Sequence, residues 1–232
     1  MPGMSETPNA ARQVSDEPSP RRLLSSRKVY EGRIWDVVSD SFQLNDDGDT
    51  LVRDYIDHPG AVAVLPMNDD GDVLLLRQYR HPVGMDLWEI PAGLLDVEGE
   101  APLLAAQREL AEEADLAAER WNVLSDFQNS PGGSDETIRV FLARGVSAVP
   151  AFARHDEEAD IETRWVRLDE VVDAVLARRV QSPSLVIGAL AAAAARSRGW
   201  DALAPGDEPW PRHPRLGGPP WVLPGDRPES PL

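Results

Sequence analysis

From residue 27 to residue 58, apolar and polar side chains alternate in two short runs, RKVYEGRIWDVVSDSFQL and TLVRDYIDH, with NDDGD between them. A period of two predicts half-buried strands, and an Asn/Asp/Gly cluster predicts a turn. Three strands in a small antiparallel sheet follow from this. AVAVLPM (61–67) is apolar almost without a break, the pattern of a strand buried on both faces, and a second NDDGD turn joins it to VLLLRQYR. LWEIPAG reads as one brief strand halted at Pro91 and Gly93. At Pro102, a residue suited to the first helical turn, a helix begins that runs to about Ala114. WNVLSDFQ, TIRVFLAR and ETRWVRL supply later strands. Asp169 is expected to cap a helix through about Arg178, and Ser182 with Pro183 to open a last one ending near Gly199. The order of strands, helix, strands, helices predicts an α/β sandwich with a mixed sheet, plus the small N-terminal antiparallel sheet, and not a regular βαβ series.

The two ends lack this periodicity. Residues 1–22 hold Ser, Pro, Glu and Arg and are expected to be disordered; residues 203–232 form a proline-rich tail expected to be loosely ordered. Trp210 and Trp221 are the residues by which that tail can dock on the body or on a partner chain. The expected divisions are therefore 1–22, an N-terminal sheet over 23–58, a main domain over 59–202, and the tail.

Composition narrows the function classes. No apolar run approaches the roughly 18 to 20 residues that span a bilayer, and the polar N-terminus lacks the apolar stretch of a secretory signal, so a cytoplasmic protein without membrane attachment is expected. The absence of cysteine removes thiolate ligands, and His58, His81, His155 and His213 have no zinc-like spacing. Oxygen ligands remain, which points to Mg²⁺, with Mn²⁺ as the alternative. A formal charge of −17 opposes nucleic-acid binding, because a polyphosphate needs a basic surface. A small anion can still bind where arginines and a metal reverse the field locally.

RELAEEADL (108–116) carries four acids and no lysine. At 100° per residue, Leu103, Ala106, Gln107, Leu110 and Ala114 share one side of this helix, and Glu109, Glu112 and Glu113 the other. Glu109 faces Glu113 one turn away, a like-charge pair costing roughly 0.2–0.5 kcal/mol, and both lie toward the helix end that disfavours negative charge. Arg108, four residues before Glu112, is the local counter-charge. A divalent cation held by these carboxylates would remove the penalty.

Gly93, a loop ending at Glu100, seven residues, and then Arg108-Glu109-Leu110-Ala111-Glu112-Glu113 resemble the Nudix box. Two departures stand out: six residues in place of five separate Gly93 from Glu100, and Asp115 occupies the usual position of a glycine. The likeness implies a Nudix-type α/β/α sandwich over about residues 50 to 200. The N-terminal strands, the stretch WEIPAGLLD and Pro131 in NSPGGSDE resemble the ADP-ribose pyrophosphatase branch. That resemblance implies Mg²⁺-dependent hydrolysis of ADP-ribose to AMP and ribose 5-phosphate, and a homodimer that exchanges its N-terminal sheet. Another nucleoside diphosphate linked to a group X, such as a sugar nucleotide, NADH or a dinucleoside polyphosphate, is the alternative substrate. A non-catalytic ADP-ribose sensor is the alternative of another class.

Within that resemblance, Glu109 and Glu113 are expected as direct metal ligands, with Glu112 a ligand to another ion or through water. The Ala92 carbonyl joins them by family analogy, and Arg108 is expected to hold Glu100 or Glu112. The general base is expected in the acidic stretch ARHDEEADIETRW, where alignment on Asp160-Ile161 selects Glu157, with Glu158 close behind. For substrate, Arg77 and Arg80 alternate on a strand beside the box and are candidates for phosphate. Glu89 is a candidate for ribose or adenine, Trp35 for stacking on adenine across the dimer, the turn with Pro131 for ribose, and Ser134 for substrate.

Overall fold

The computed structural model of the chain describes residues 14–45, 48–151 and 161–216. Strand β4 (Ala61–Met67) organises the main body, because every one of its residues is buried. Ala61, Ala63, Leu65 and Met67 face one core, and Val62 and Val64 face another. Period-two alternation across a strand with both faces covered explains its unbroken apolar run.

Helix α1 (Pro102–Ala114) covers one face with Ala105, Ala106 and Leu110. Helices α2 (Leu168–Leu176) and α3 (Pro183–Arg196) cover the other with Leu168, Val171, Leu185, Ala189 and Ala192. Between them lies a mixed sheet. Its strands are β4, β5 (Asp72–Arg80), β6 (Met85–Glu89), β7 (Ala92–Leu94), β8 (Leu116–Gln128), β9 (Thr137–Ala148), β10 (Glu162–Arg167) and β11 (Ala204–Pro205). The order is β10-β5-β4-β9-β8-β11, with β6 on β5 and β7 on β4. The β4–β9 pairing is parallel and the others are antiparallel. A separate antiparallel sheet comprises β1 (Arg22–Tyr30), β2 (Asp36–Gln43) and β3 (Thr50–Asp57), in that order. This is the expected α/β sandwich with its small N-terminal sheet. Among the described residues, no helix is long and apolar enough to cross a membrane.

Four local expectations need correction. LWEIPAG is two strands, β6 and β7, because Pro91 lacks the N–H that a continuous ladder needs and the chain changes partner there, from β5 to β4. Asp169 is not a cap; Arg167 takes that place, while Asp169 lies inside the first turn of α2 and pairs with Arg196 of α3. Trp35 sits in the connection between β1 and β2, outside either strand. The tail is not loose where it is described.

Residues 203–216 strap across the body. Ala204 and Pro205 pair with Val123 and Asn122 of β8, and Gly206 N–H donates to the Trp121 carbonyl (3.0 Å). Buried Arg139 forks onto Asp126 (2.8 Å twice), donates to the Glu208 carbonyl (2.6 Å), and lies 4.6 Å over the Trp210 ring. Trp210 meets His213 edge to face at 4.6 Å. His213 Nδ1 accepts the backbone N–H of both Arg215 and Leu216 (3.1 Å each), so the ring works here only with Nδ1 unprotonated.

Burial, with Arg215 and Arg139 close by, holds the His213 imidazole down at about 4, against an ordinary value of 6.5. The unfolded chain therefore takes up a proton near the ordinary value that the folded chain refuses until the lower one. The contribution of His213 is intact above the ordinary value and is withdrawn as pH falls through that window. Calorimetric unfolding between about pH 7.5 and 4.5 should show Tm falling more steeply in the native chain than in His213→Asn, which keeps an acceptor but cannot titrate. Equal slopes would contradict this assignment.

Candidate metal and active site

Helix α1 begins with Pro102 in its first turn and ends at Asp115, whose backbone is left-handed (φ 54°, ψ 37°). The missing glycine is thus replaced by a residue that adopts the same cap at a cost of roughly 1 kcal/mol. The Asp115 N–H still closes the helix onto the Ala111 carbonyl (3.1 Å).

The helix is rotated relative to the simple wheel. Leu104 and Gln107 point to solvent, while Glu109 and Glu113 are only 9% and 7% exposed and lie on the packed side beside Ala105, Ala106 and Leu110. A carboxylate buried without partners costs several kcal/mol, so their surroundings have to compensate. Glu113 Oε2 accepts the Ala92 N–H at 2.8 Å. Glu109 lies directly against Gly93, where an added Cβ would stand 2.0 Å from the Glu109 carboxyl carbon. The box glycine is therefore needed for clearance: any side chain there would occupy the space of the carboxylate.

Arg108 supplies the charge. Its guanidinium forks onto Glu100 (Nε to Oε1 3.1 Å, Nη2 to Oε2 3.0 Å), and Nη1 donates to Glu109 (2.5 Å) and Glu112 (3.3 Å). Hydrogen bonding to Glu100, then the charge of Glu109, raises the pKa of Arg108 further above its already high value. The extra residue between Gly93 and Glu100 is absorbed in a turn, where the Glu100 N–H returns to the Val97 carbonyl (3.1 Å) and Gly99 takes φ 77°. Glu100 consequently still reaches Arg108.

Among the described residues, no three His, Asp or Glu side chains converge as a ready-made metal cage. Two carboxylates one turn apart beside the main chain of Ala92 nevertheless suit Mg²⁺, which keeps several waters and takes one or two carboxylates. The donor set is all oxygen and fits that ion or Mn²⁺ better than zinc.

The other candidates are distributed as follows. Arg80 of β5 and Glu89 of β6, which are not opposite each other in the ladder, form a two-point ion pair through their side chains (3.0 and 2.7 Å). Arg77 lies between Asp86 (3.2 Å) and Glu162 (3.4 Å). Pro131 is exposed in the turn Ser130–Ser134, closed by the Gly133 N–H to the Ser130 carbonyl (2.9 Å). Ser134 bridges to Ile56 at the end of β3. Trp35 is on the surface of the N-terminal unit. Glu157 and Glu158 lie outside the described residues. Sequence reasoning missed Arg139; its signal was an arginine set between apolar residues of a strand, which requires an acid opposite it, here Asp126 at the edge of the solvent.

A sequence model of the NUDIX domain matches residues 57–185. The chain is 39% identical over 187 residues to an ADP-ribose pyrophosphatase of Mycobacterium tuberculosis (strain ATCC 25618 / H37Rv), covering 81% of this chain and 89% of that protein. It is 33% identical over 159 residues to an ADP-ribose pyrophosphatase of Bacillus subtilis (strain 168), covering 68% of this chain and 85% of that protein. A crystal structure of an ADP compounds hydrolase shares the fold with a TM-score of 0.66 at 19% identity, over 80% of this chain and 99% of that one.

The clearance at Gly93 has a direct consequence. Gly93→Ala should displace the Glu109 carboxylate and weaken divalent-ion binding roughly tenfold or more, read by calorimetric titration with Mn²⁺. Unchanged affinity in a folded variant would remove Glu109 from the metal site.

Proposed function

The chain belongs to the NUDIX domain family, and on that footing we propose that it hydrolyses the pyrophosphate of ADP-ribose to AMP and ribose 5-phosphate in a Mg²⁺-dependent reaction. One observation carries the reading: a buried carboxylate pair lies against β7, with Glu113 accepting the Ala92 N–H and Glu109 packed on Gly93 and held by Arg108. The ADP-ribose pyrophosphatases similar over most of their length support the substrate.

Glu109, Glu113 and the Ala92 carbonyl would hold the ion, with Glu112, which is more exposed, binding a further ion or a water. A bound divalent ion supplies charge neutralisation on the pyrophosphate and lowers the pKa of a coordinated water. Arg108 holds Glu100, Glu109 and Glu112 in register, so the carboxylates are pre-set and need no ordering when substrate arrives. Glu157, or Glu158 beside it, accepts the proton from the attacking water. Arg77 and Arg80 meet phosphate, Glu89 the ribose or adenine, and the turn with Pro131 the ribose, with Ser134 beside it contacting substrate.

The N-terminal sheet exposes Leu24, Val29, Tyr30 and Val52, with Ile34 and Trp35 in the β1–β2 connection. So much apolar surface on one small unit fits burial against a second copy in a homodimer with exchanged N-terminal sheets, where Trp35 would stack on the partner's adenine.

The test is product analysis with Mg²⁺ and a panel of ADP-ribose, sugar nucleotides, NADH and dinucleoside polyphosphates. AMP and ribose 5-phosphate should appear fastest from ADP-ribose, and Glu113→Gln should lower the rate at least about a hundredfold without loss of fold. Faster cleavage of another compound would displace ADP-ribose as substrate. Binding of ADP-ribose without any cleavage would instead make the chain a sensor.

A further inference from the structure

Two parts of the fold converge on the end of β3 and its linker to β4, residues 56–60. From one side, the turn Ser130–Asp135 hangs on the end of β3. Ile56 donates its N–H to the Gly133 carbonyl (3.0 Å) and accepts the Asp135 N–H (3.2 Å), and the His58 N–H donates to Asp135 Oδ1 (2.7 Å). From the other side comes the C-terminal strap. Arg215 Nη2 reaches Asp57 Oδ1 at 2.6 Å, across 158 positions of sequence. The His213 ring stands against Gly60 so closely that an added Cβ would lie 2.5 Å from Nε2.

The strap does not need Arg215 in order to dock. The β11–β8 pairing and the Arg139–Trp210 contact already hold it to the body. His213, by accepting the Arg215 and Leu216 N–H groups, then fixes the backbone from which Arg215 reaches out. What the ion pair with Asp57 adds is a connection to β3, and β3 carries the turn. Both partners are largely shielded from water, with side chains 32% and 14% exposed, which makes the pair stiffer than a fully solvated one.

We propose that Arg215 is a positioning residue for substrate: through Asp57, the C-terminal strap sets the end of β3 and thereby the location of Pro131 and Ser134. The inference rests on the reading above that this turn contacts ribose. In this role Arg215 has no contact with a reacting group. Its effect is on where the turn stands, so it belongs to substrate affinity and not to the chemical step carried by α1.

The test uses the full chain with Arg215→Ala, Arg215→Lys, Asp57→Asn, and Arg215→Ala combined with Asp57→Asn. Amide hydrogen exchange across Ser130–Asp135 and at Ile56 and His58 should rise roughly tenfold in Arg215→Ala, with α1 unaffected. KM for ADP-ribose should rise roughly three- to tenfold while kcat changes less than about twofold. Arg215→Lys should recover most of both effects, and adding Asp57→Asn to Arg215→Ala should change little more. Unchanged exchange in the turn would overturn the proposal whatever the substrate. Faster exchange with KM unmoved would also overturn it, since the turn would move without reaching substrate. A fall in kcat that tracks Tm would reduce Arg215 to a stability residue. If the native chain leaves ADP-ribose intact, the substrate reading fails separately, and exchange in the turn still decides whether the strap positions it.

Discussion

The site depends on one guanidinium. Four carboxylates within fourteen residues, Glu100, Glu109, Glu112 and Glu113, are gathered at one side of α1, two of them on its packed face. Left to themselves, Glu109 and Glu113 would repel each other and resist desolvation, and the helix would turn them outward. Arg108 reverses that preference by bonding three of the four, while Ala92 N–H takes the last. Arginine is required for this. Its planar fork reaches Glu100 at two points and still has Nη1 for Glu109 and Glu112, a division of contacts that a lysine ammonium on a flexible stem would not hold. The same bonds that make burial tolerable also leave the carboxylates ordered, and order is what a metal site needs.

The rest of the sandwich is the means of bringing Ala92 and Gly93 to that helix. Strand β4 carries β7 on one edge and β9 on the other, and its Val62 and Val64 form the floor on which α1 rests. Small residues at Ala105 and Ala106 let α1 approach closely, and Gly93 removes the one Cβ that would keep Glu109 out. Core packing and site geometry are therefore one constraint. A bulkier residue at any of these positions would raise α1 from the sheet and separate Glu113 from Ala92.

Much of this was legible in the chain because it is periodic or motif-bound. The two-sided burial of AVAVLPM and the helix from Pro102 to Ala114 follow from alternation and proline placement, and the Arg108 clamp on Glu100 from the resemblance to the Nudix box. The burial of Glu109 and Glu113 did not follow. A helical wheel assigns carboxylates to solvent by type, and only the tertiary partners Arg108, Ala92 and Gly93 make the packed side hospitable. The docking of the tail was equally hard to read. Proline-rich sequence has no period, and the contacts that hold it, Arg139 with Trp210 and Arg215 with Asp57, join positions 71 and 158 residues apart. Trp210 was a visible candidate for docking; its partner became visible only in space.

Arg80 and Glu89 show how electrostatics constrain recognition. A chain of net charge −17 repels a pyrophosphate at long range. Arg80 is already paired with Glu89, and Arg77 is shared by Asp86 and Glu162. The arginine best placed near the box, Arg108, is committed to three carboxylates. On the proposed function, attraction for a doubly charged substrate would come chiefly from cations brought in by Glu109 and Glu113, with the β5 arginines contributing only as they exchange a carboxylate for a phosphate. Such an exchange conserves the number of ion pairs, so it adds little affinity but much selectivity. On that reading, a ligand would engage this pair only by presenting an anion to Arg80 and a hydroxyl or amine to Glu89 together, and a substrate that carries phosphate beside ribose would do both.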